Sequence, residues 1–164
     1  MNLIFIGDIF GSPGREFLAA HLPSLIKRYE ADLVIANGEN AAGGAGLTPE
    51  VAEELFSAGV DVITSGNHIW NKKEIFPTLD SERRILRPAN YPPGVPGKGS
   101  GLFQARDGKT VGVLNVCGRV FSPQNLDCPF RVMDTEILKL RQITPVIVVV
   151  FHAAATSEKV AAGY

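Results

Sequence analysis

Six residues able to hold a metal ion or move a proton stand at the ends of short apolar runs. Leu3–Ile6 leads into Gly7-Asp8, and Leu33–Ala36 into Asn37-Gly38-Glu39-Asn40. Val60–Ile63 leads into Thr64-Ser65-Gly66-Asn67-His68, and Val146–Phe151 into His152. Asp8 and Glu39 offer hard carboxylate oxygens, Asn40 and Asn67 neutral amide oxygens, and His68 and His152 imidazole nitrogens. That mixture suits Mn, Fe or Zn better than Ca or Mg. No cysteine stands among them, which argues against a closed structural zinc site. Two cations about 3.5–4 Å apart can share a carboxylate and grip the attacking and leaving oxygens of a phosphoester. Glu39 falls between Asp8 and Asn67 in the chain and is the natural shared ligand. A histidine not engaged by metal can protonate the leaving oxygen, and His68 fits that role.

Each residue also has a plainer reading. An Asp after a strand is usually a turn residue or a helix cap. Glu39-Asn40 in a Gly-rich loop reads equally as solvated, and a His after a buried strand is more often a hydrogen-bonded core residue. His21 lies in a helical pattern away from any strand end and reads as structural or surface. The chemical reading rests on coincidence: four separate strand ends deliver compatible donors.

For these donors to meet, the four runs must be strands whose carboxyl ends share one edge, where open α/β sheets bind ligands. Short β-branched runs flanked by helical patterns read as buried parallel strands. The expected strands are Asn2–Gly7, Asp32–Asn37 and Val60–Ser65, then Gly101–Arg106, Thr110–Cys117 and Val146–Phe151. Asp107-Gly108 marks a hairpin. Helices are expected from Arg15 to about Glu30, with Pro23 kinking or splitting it, and from Thr48-Pro49-Glu50 to Ala58. Others are expected over Asn71–Leu79, over Asp134–Arg141 and from Thr156. The stretches Gly38–Gly46, Pro88–Gly101 and Arg119–Arg131 read as loops. The order βαβαβα, hairpin, αβ implies a largely parallel first sheet packed against a second set of strands.

The 164 residues fit one domain, 1–164, and 45% hydrophobic with 20% charged content is ordinary for a folded globular chain. A net charge of −1 offers no electrostatic case for nucleic acid or a membrane surface. Cys117 and Cys128 fit neither a zinc knuckle nor a redox pair and read as free thiols. The N-terminal apolar stretch lacks a basic flank, and no run approaches a membrane span. The default expectation is a cytoplasmic protein. A Rossmann or P-loop nucleotide binder is disfavoured: Gly7, Gly11 and Gly14 lack the Gly-x-Gly-x-x-Gly spacing, and no Gly-Lys-Ser/Thr follows a strand.

Gly7-Asp8, Gly38-Glu39-Asn40, Gly66-Asn67-His68 and Phe151-His152 together resemble the calcineurin-like metallophosphoesterase pattern, closest to its YmdB-like bacterial branch. Asn2–Arg15, Ala36–Gly46, Thr64–Trp70, Leu86–Tyr91 and Phe151–Lys159 all fit that branch. The wider superfamily has Asp-x-His and Gly-Asp where this chain has Asp8-Ile9-Phe10 and Gly38-Glu39. The resemblance implies a four-layer α/β/β/α sandwich with mixed sheets. It implies a two-metal phosphodiesterase for cyclic nucleotides, 2′,3′-cyclic ones favoured, working through a metal-bridging hydroxide. Asp8 and Asn40 would then hold metal one, Glu39 would bridge, Asn67 and His152 would hold metal two, and His68 would be the general acid. The two metals, divalent or mixed-valence, would be Fe or Mn before Zn, and self-association stays open.

Departures from the branch matter. Its pattern Asp-Phe-His-Ala-Glu-Ala-Thr is here Val150-Phe151-His152-Ala153-Ala154-Ala155-Thr156, so Val150 and Ala154 replace acids. Loss of such outer-shell support typically costs 10–100-fold in metal affinity or activity. The branch also continues into a Gly-Thr-His-Thr-His-like segment supplying two further histidine ligands, whereas the histidines here are 21, 68 and 152. The domain is therefore expected to be incomplete at its C-terminus. A catalytically weak or silent homologue, binding nucleotide or a protein partner, is the rival expectation.

Overall fold

The computed structural model describes residues 1–164. Four strands, β1 (Leu3–Asp8), β2 (Leu33–Asn37), β3 (Val62–Thr64) and β4 (Ile85–Leu86), pair in chain order into an all-parallel sheet. Helices α1 (Gly11–Tyr29), α2 (Pro49–Ser57) and α3 (Phe76–Ser81) lie in the connections between them. The second sheet holds β5 (Ser100–Gln104), β6 (Thr110–Cys117) and β7 (Ile147–His152). Here β5 and β6 are antiparallel, and β7 runs parallel to β6 after the crossover through α4 (Pro129–Arg141). A short helix, α5 (Thr156–Ala161), follows β7. The class is thus α/β, with one parallel and one mixed sheet. No helix is long and apolar enough to cross a membrane.

Strand alternation sorts the side chains into three apolar layers. Val34, Ala36, Ile63 and Ile85 face the helices and pack with Leu22 and Leu55. Leu33, Ile35, Val62 and Leu86 face the other way and meet Val111, Val113 and Val150 of the second sheet. Leu114 and Val116, on the outer face of β6, pack with Met133 and Leu140 of α4. The order through the molecule is helices, sheet, sheet, helix. The same parity turns Asn115 and Cys117 of β6, and His152 of β7, toward the first sheet.

Asn115 joins the two sheets with its side chain. It is fully buried, and its Nδ2 donates to the carbonyls of Ser65 (2.8 Å) and Leu86 (3.0 Å) at the ends of β3 and β4. The second sheet does not cover β1. Leu3 and Phe5 pair with the buried Leu33 and Ile35, yet are 39% and 52% exposed. Strand β7 is also an edge, paired through β6 alone.

Several sequence expectations need correction. Helix α1 begins at Gly11, not Arg15: the Gly14 N–H already donates to the Phe10 carbonyl at 3.2 Å, and the chain enters through Gly11, φ +57°, whose N–H is held by the Asn40 carbonyl at 2.9 Å. Pro23 does not split it. The proline lacks the N–H that would reach the Ala19 carbonyl, but Ala19 lies on the exposed side, where water can serve instead. Helix α4 begins at Pro129, the favoured first-turn position for proline, rather than at Asp134. Residues 67–75 form two 3-10 turns ahead of α3 instead of one helix over Asn71–Leu79. The two-residue strand β4 carries too short a pattern to read. The hairpin turns at Gly108, φ +81°, as Asp107-Gly108 implies.

Truncating Asn115 would strip two buried carbonyls of a donor. Asn115→Ala is expected to lower stability by about 1–3 kcal/mol, read as a shifted urea midpoint with an unchanged slope.

Candidate active site

Each donor reaches the shared edge by a local device. In β1 the register slips between Ile6, opposite Ala36, and Asp8, opposite Asn37, so Gly7 is the extra residue of a bulge. Bulges of this kind re-aim the side chain that follows, here Asp8. After β2 the chain turns tightly. The Gly38 N–H donates to the Thr64 carbonyl (3.0 Å), and the Glu39 N–H to Asn37 Oδ1 (3.1 Å). Glu39 is left 2% exposed. After β3, Gly66 leads into the 3-10 turn Asn67–Asn71, which carries Asn67 and His68. His152 is the last residue of β7 and lies opposite Cys117.

Five of the six expected residues form one hydrogen-bonded run. Asn40 Nδ2 donates to Asp8 Oδ2 at 2.8 Å, and Asn40 Oδ1 meets His68 Nδ1 at 2.6 Å. The His68 backbone N–H donates to Glu39 Oε2 at 3.3 Å, and Glu39 Oε1 meets His152 Nε2 at 3.1 Å. The sixth, Asn67, lines a cavity of about 130 Å³ together with His152, Cys117 and Gln124. Because the Asn40 amide gives its NH2 to Asp8, its oxygen is what faces His68. His68 therefore donates from Nδ1, and its Nε2 is the nitrogen left to take or give a proton.

Gly66 lets Glu39 and His152 pack directly against the backbone after β3. A Cβ at that position would collide with Glu39 Oε2 and with the His152 ring. The donor set at this edge combines carboxylate, imidazole and amide oxygen, which fits a transition-metal cation. No three His, Cys, Asp or Glu side chains gather closely enough to hold one by themselves. The amide oxygens of Asn40 and Asn67 are the further neutral ligands this edge offers. The Asn40 oxygen has a second lone pair beyond the one used by His68.

The residues that hold this edge in place escape a reading of motifs. Asn90 is fully buried. Its Nδ2 donates to the Cys117 carbonyl (2.7 Å) and its Oδ1 accepts the Cys117 N–H (2.9 Å), clamping the end of β6 beside His152. Glu158, also buried, accepts the Arg119 N–H at 2.9 Å and the Val120 N–H at 3.2 Å, fixing the loop that walls the cavity. Trp70 and Tyr91 meet edge to face at 5.2 Å between ring centres. Burial pushes the Tyr91 hydroxyl up. The one signal in the sequence is the helix start at Thr156, which announces that Glu158 lies in a first turn. Both cysteines are free, as expected. Burial, then the charges of Glu39 and Glu158, pushes the Cys117 thiol up to about 12.

A family model described as YmdB-like protein matches residues 4–164. The chain is 47% identical over 164 residues to the 2′,3′-cyclic-nucleotide 2′-phosphodiesterase of Bacillus subtilis (strain 168), covering 100% of this chain and 61% of that protein. The crystal structure of a hypothetical protein from Thermus thermophilus matches with TM-score 0.87 and 44% identity, over 99% of this chain and 62% of that one. A novel phosphatase from Mycoplasma pneumoniae matches with TM-score 0.89 and 35% identity, over 98% and 58%. The chain thus spans about 60% of the length of these relatives.

Gly66→Ala is expected to displace Glu39 and His152 and to lower stability by about 1–3 kcal/mol, read as a shifted urea midpoint. At neutral pH, iodoacetamide is expected to modify Cys128 but not Cys117, since the reactive thiolate is scarce at a buried, high-pKa thiol. Mass spectrometry of the native and denatured protein would separate the two.

Proposed function

From the premise that this chain belongs to the YmdB-like protein family, we propose that it carries the N-terminal and central part of a metal-dependent phosphodiesterase. Its layering is taken as that of a metallophosphoesterase sandwich. Its substrate is a cyclic nucleotide, with 2′,3′-cyclic nucleotides favoured. The observation that carries the reading is the run from Asp8 through Asn40, His68 and Glu39 to His152, drawn from four strand ends and both sheets.

In this reading Asp8, Glu39 and Asn40 would hold one cation, and Glu39, Asn67 and His152 the other, with Fe or Mn preferred to Zn. When bound, such cations polarise the phosphoryl oxygens and lower the pKa of the attacking water. The chain's own residues do the rest. Glu39, buried and met by the His68 N–H and by His152, supplies a carboxylate already held at the shared edge. Asn40 orients the His68 ring through Nδ1, so that Nε2 can hand its proton to the departing ribose oxygen. Gly66 lets the Glu39 carboxylate and the His152 ring approach the backbone closely enough to meet each other.

A second reading is a catalytically silent homologue that binds nucleotide or a protein partner. It is favoured by the sparse donor set and by Val150 and Ala154 standing where the branch has acids. Metal analysis of the purified chain divides the two: about two ions per chain support the enzyme, and fewer than one supports the silent binder.

With Mn2+ supplied, hydrolysis of 2′,3′-cyclic AMP is expected to fall below detection in Glu39→Gln. In His68→Ala, kcat is expected to fall about 10²–10⁴-fold, the usual contribution of a positioned acid, with little change in KM. Undiminished turnover by Glu39→Gln in a phosphate-release assay rejects the site.

A further inference from the structure

A second polar cleft lies beside the strand-end cluster, on the far side of the loop that follows β6. Its volume is about 910 Å³, and it opens between the segment after β4, that loop and the N-terminal end of α4. Its charged lining sets Arg87, Arg119, Arg131 and Lys139 against Glu136 and Asp127. Glu136 is already engaged, accepting from Lys139 Nζ at 2.6 Å and Ser100 Oγ at 2.8 Å. None of the three arginines makes an ion pair. Arg87 spends Nε on the Pro96 carbonyl (3.2 Å) and Nη1 on the Pro88 carbonyl (2.7 Å), which leaves Nη2 without a partner. Burial alone pulls its pKa down, the mark of a guanidinium lacking a counter-charge. Three unpaired guanidinium groups thus face one free carboxylate.

The end of α4 adds to this excess. Its N-cap, Cys128, makes no side-chain capping bond, its first turn holds no acid, and both Cys128 and Arg131 line the cleft. The cleft starts at this uncompensated helix end and runs along α4 to Lys139 in its last turn. Guanidinium forks match phosphate oxygens in pairs, which a single point charge does not. The loop between the two sites is held rigidly, with Gly118 on the His152 carbonyl at 2.8 Å and Arg119 and Val120 on Glu158. Arg119 faces the cleft, while Gly118, Val120 and Gln124 face the His152 cavity.

We propose that this cleft is a second phosphate-binding subsite, formed by Arg87, Arg119 and Arg131, that takes a phosphoryl group other than the ester at the strand-end cluster. Its occupancy by a phosphate does not depend on hydrolysis. Its use by a substrate rests on the phosphodiesterase reading and implies a nucleotide chain with a phosphodiester preceding its cyclic end. In chelator, which removes cations from the strand-end cluster, inorganic phosphate is expected to bind saturably at millimolar concentration or below. Arg131→Ala and Arg119→Ala, both at exposed positions, are each expected to weaken it about tenfold, as loss of one charge-assisted contact does. No saturable binding, or binding unchanged in both variants, overturns the subsite without touching the phosphodiesterase reading. With Mn2+ and Glu39→Gln, a dinucleotide ending in a 2′,3′-cyclic phosphate is expected to bind at least tenfold tighter than the cyclic mononucleotide, an advantage that Arg131→Ala removes. Equal affinities overturn the substrate-borne source and leave the cleft to free phosphate.

Discussion

A carboxylate that is 2% exposed sets the terms for the rest of this molecule. Glu39 belongs to the first sheet, and burying an ionised group away from water is tolerable only when its oxygens are met by hydrogen bonds and charge. One oxygen is met locally, by the His68 backbone N–H. The other is met by His152, on a strand of the other sheet. The two sheets must therefore stack at a fixed spacing and in fixed register, or the carboxylate is stranded. Asn115 and Asn90 read naturally as the devices that hold this spacing. One reaches across the sheets to the ends of β3 and β4, and the other locks the end of β6 against the neighbouring loop.

Much of this was legible in the sequence, for a physical reason. Buried parallel strands must be apolar throughout, so the residue that ends the run stands out, and parallel strands put those residues on one edge. Asp8, Glu39, Asn67, His68 and His152 were visible in that way. What stayed hidden depends on partners far along the chain. The bulge at Gly7 exists only relative to β2. The value of Asn115 lies in two carbonyls 50 and 29 residues away. Strand β4 is a strand only because β3 pairs with it. The entry into α1 at Gly11 is held by the Asn40 carbonyl.

The run of hydrogen bonds also orders the chemistry. Asn40 is the hinge of the arrangement, because an amide has distinct donor and acceptor ends. By giving one to Asp8 and the other to His68, it couples a carboxylate on β1 to the tautomer of an imidazole after β3. A carboxylate at position 40 would have no N–H to give Asp8. The Gly38-Glu39-Asn40 sequence is thus one unit, in which the glycine makes room for Ile63 and Leu55, the acid packs against Gly66, and the amide sets the ring.

Strand β7 delivers His152, and its other properties follow from the same composition. Ile147–His152 is six residues of high β-propensity with no proline, glycine or formal charge, and its outer edge has no neighbour in the sheet. Those are the attributes of segments that stack into cross-β assemblies. Unpaired backbone groups on that edge are a template for any extended chain that arrives, including another copy of the same strand. The strand that brings His152 to Glu39 thus also has the composition of an association-prone edge.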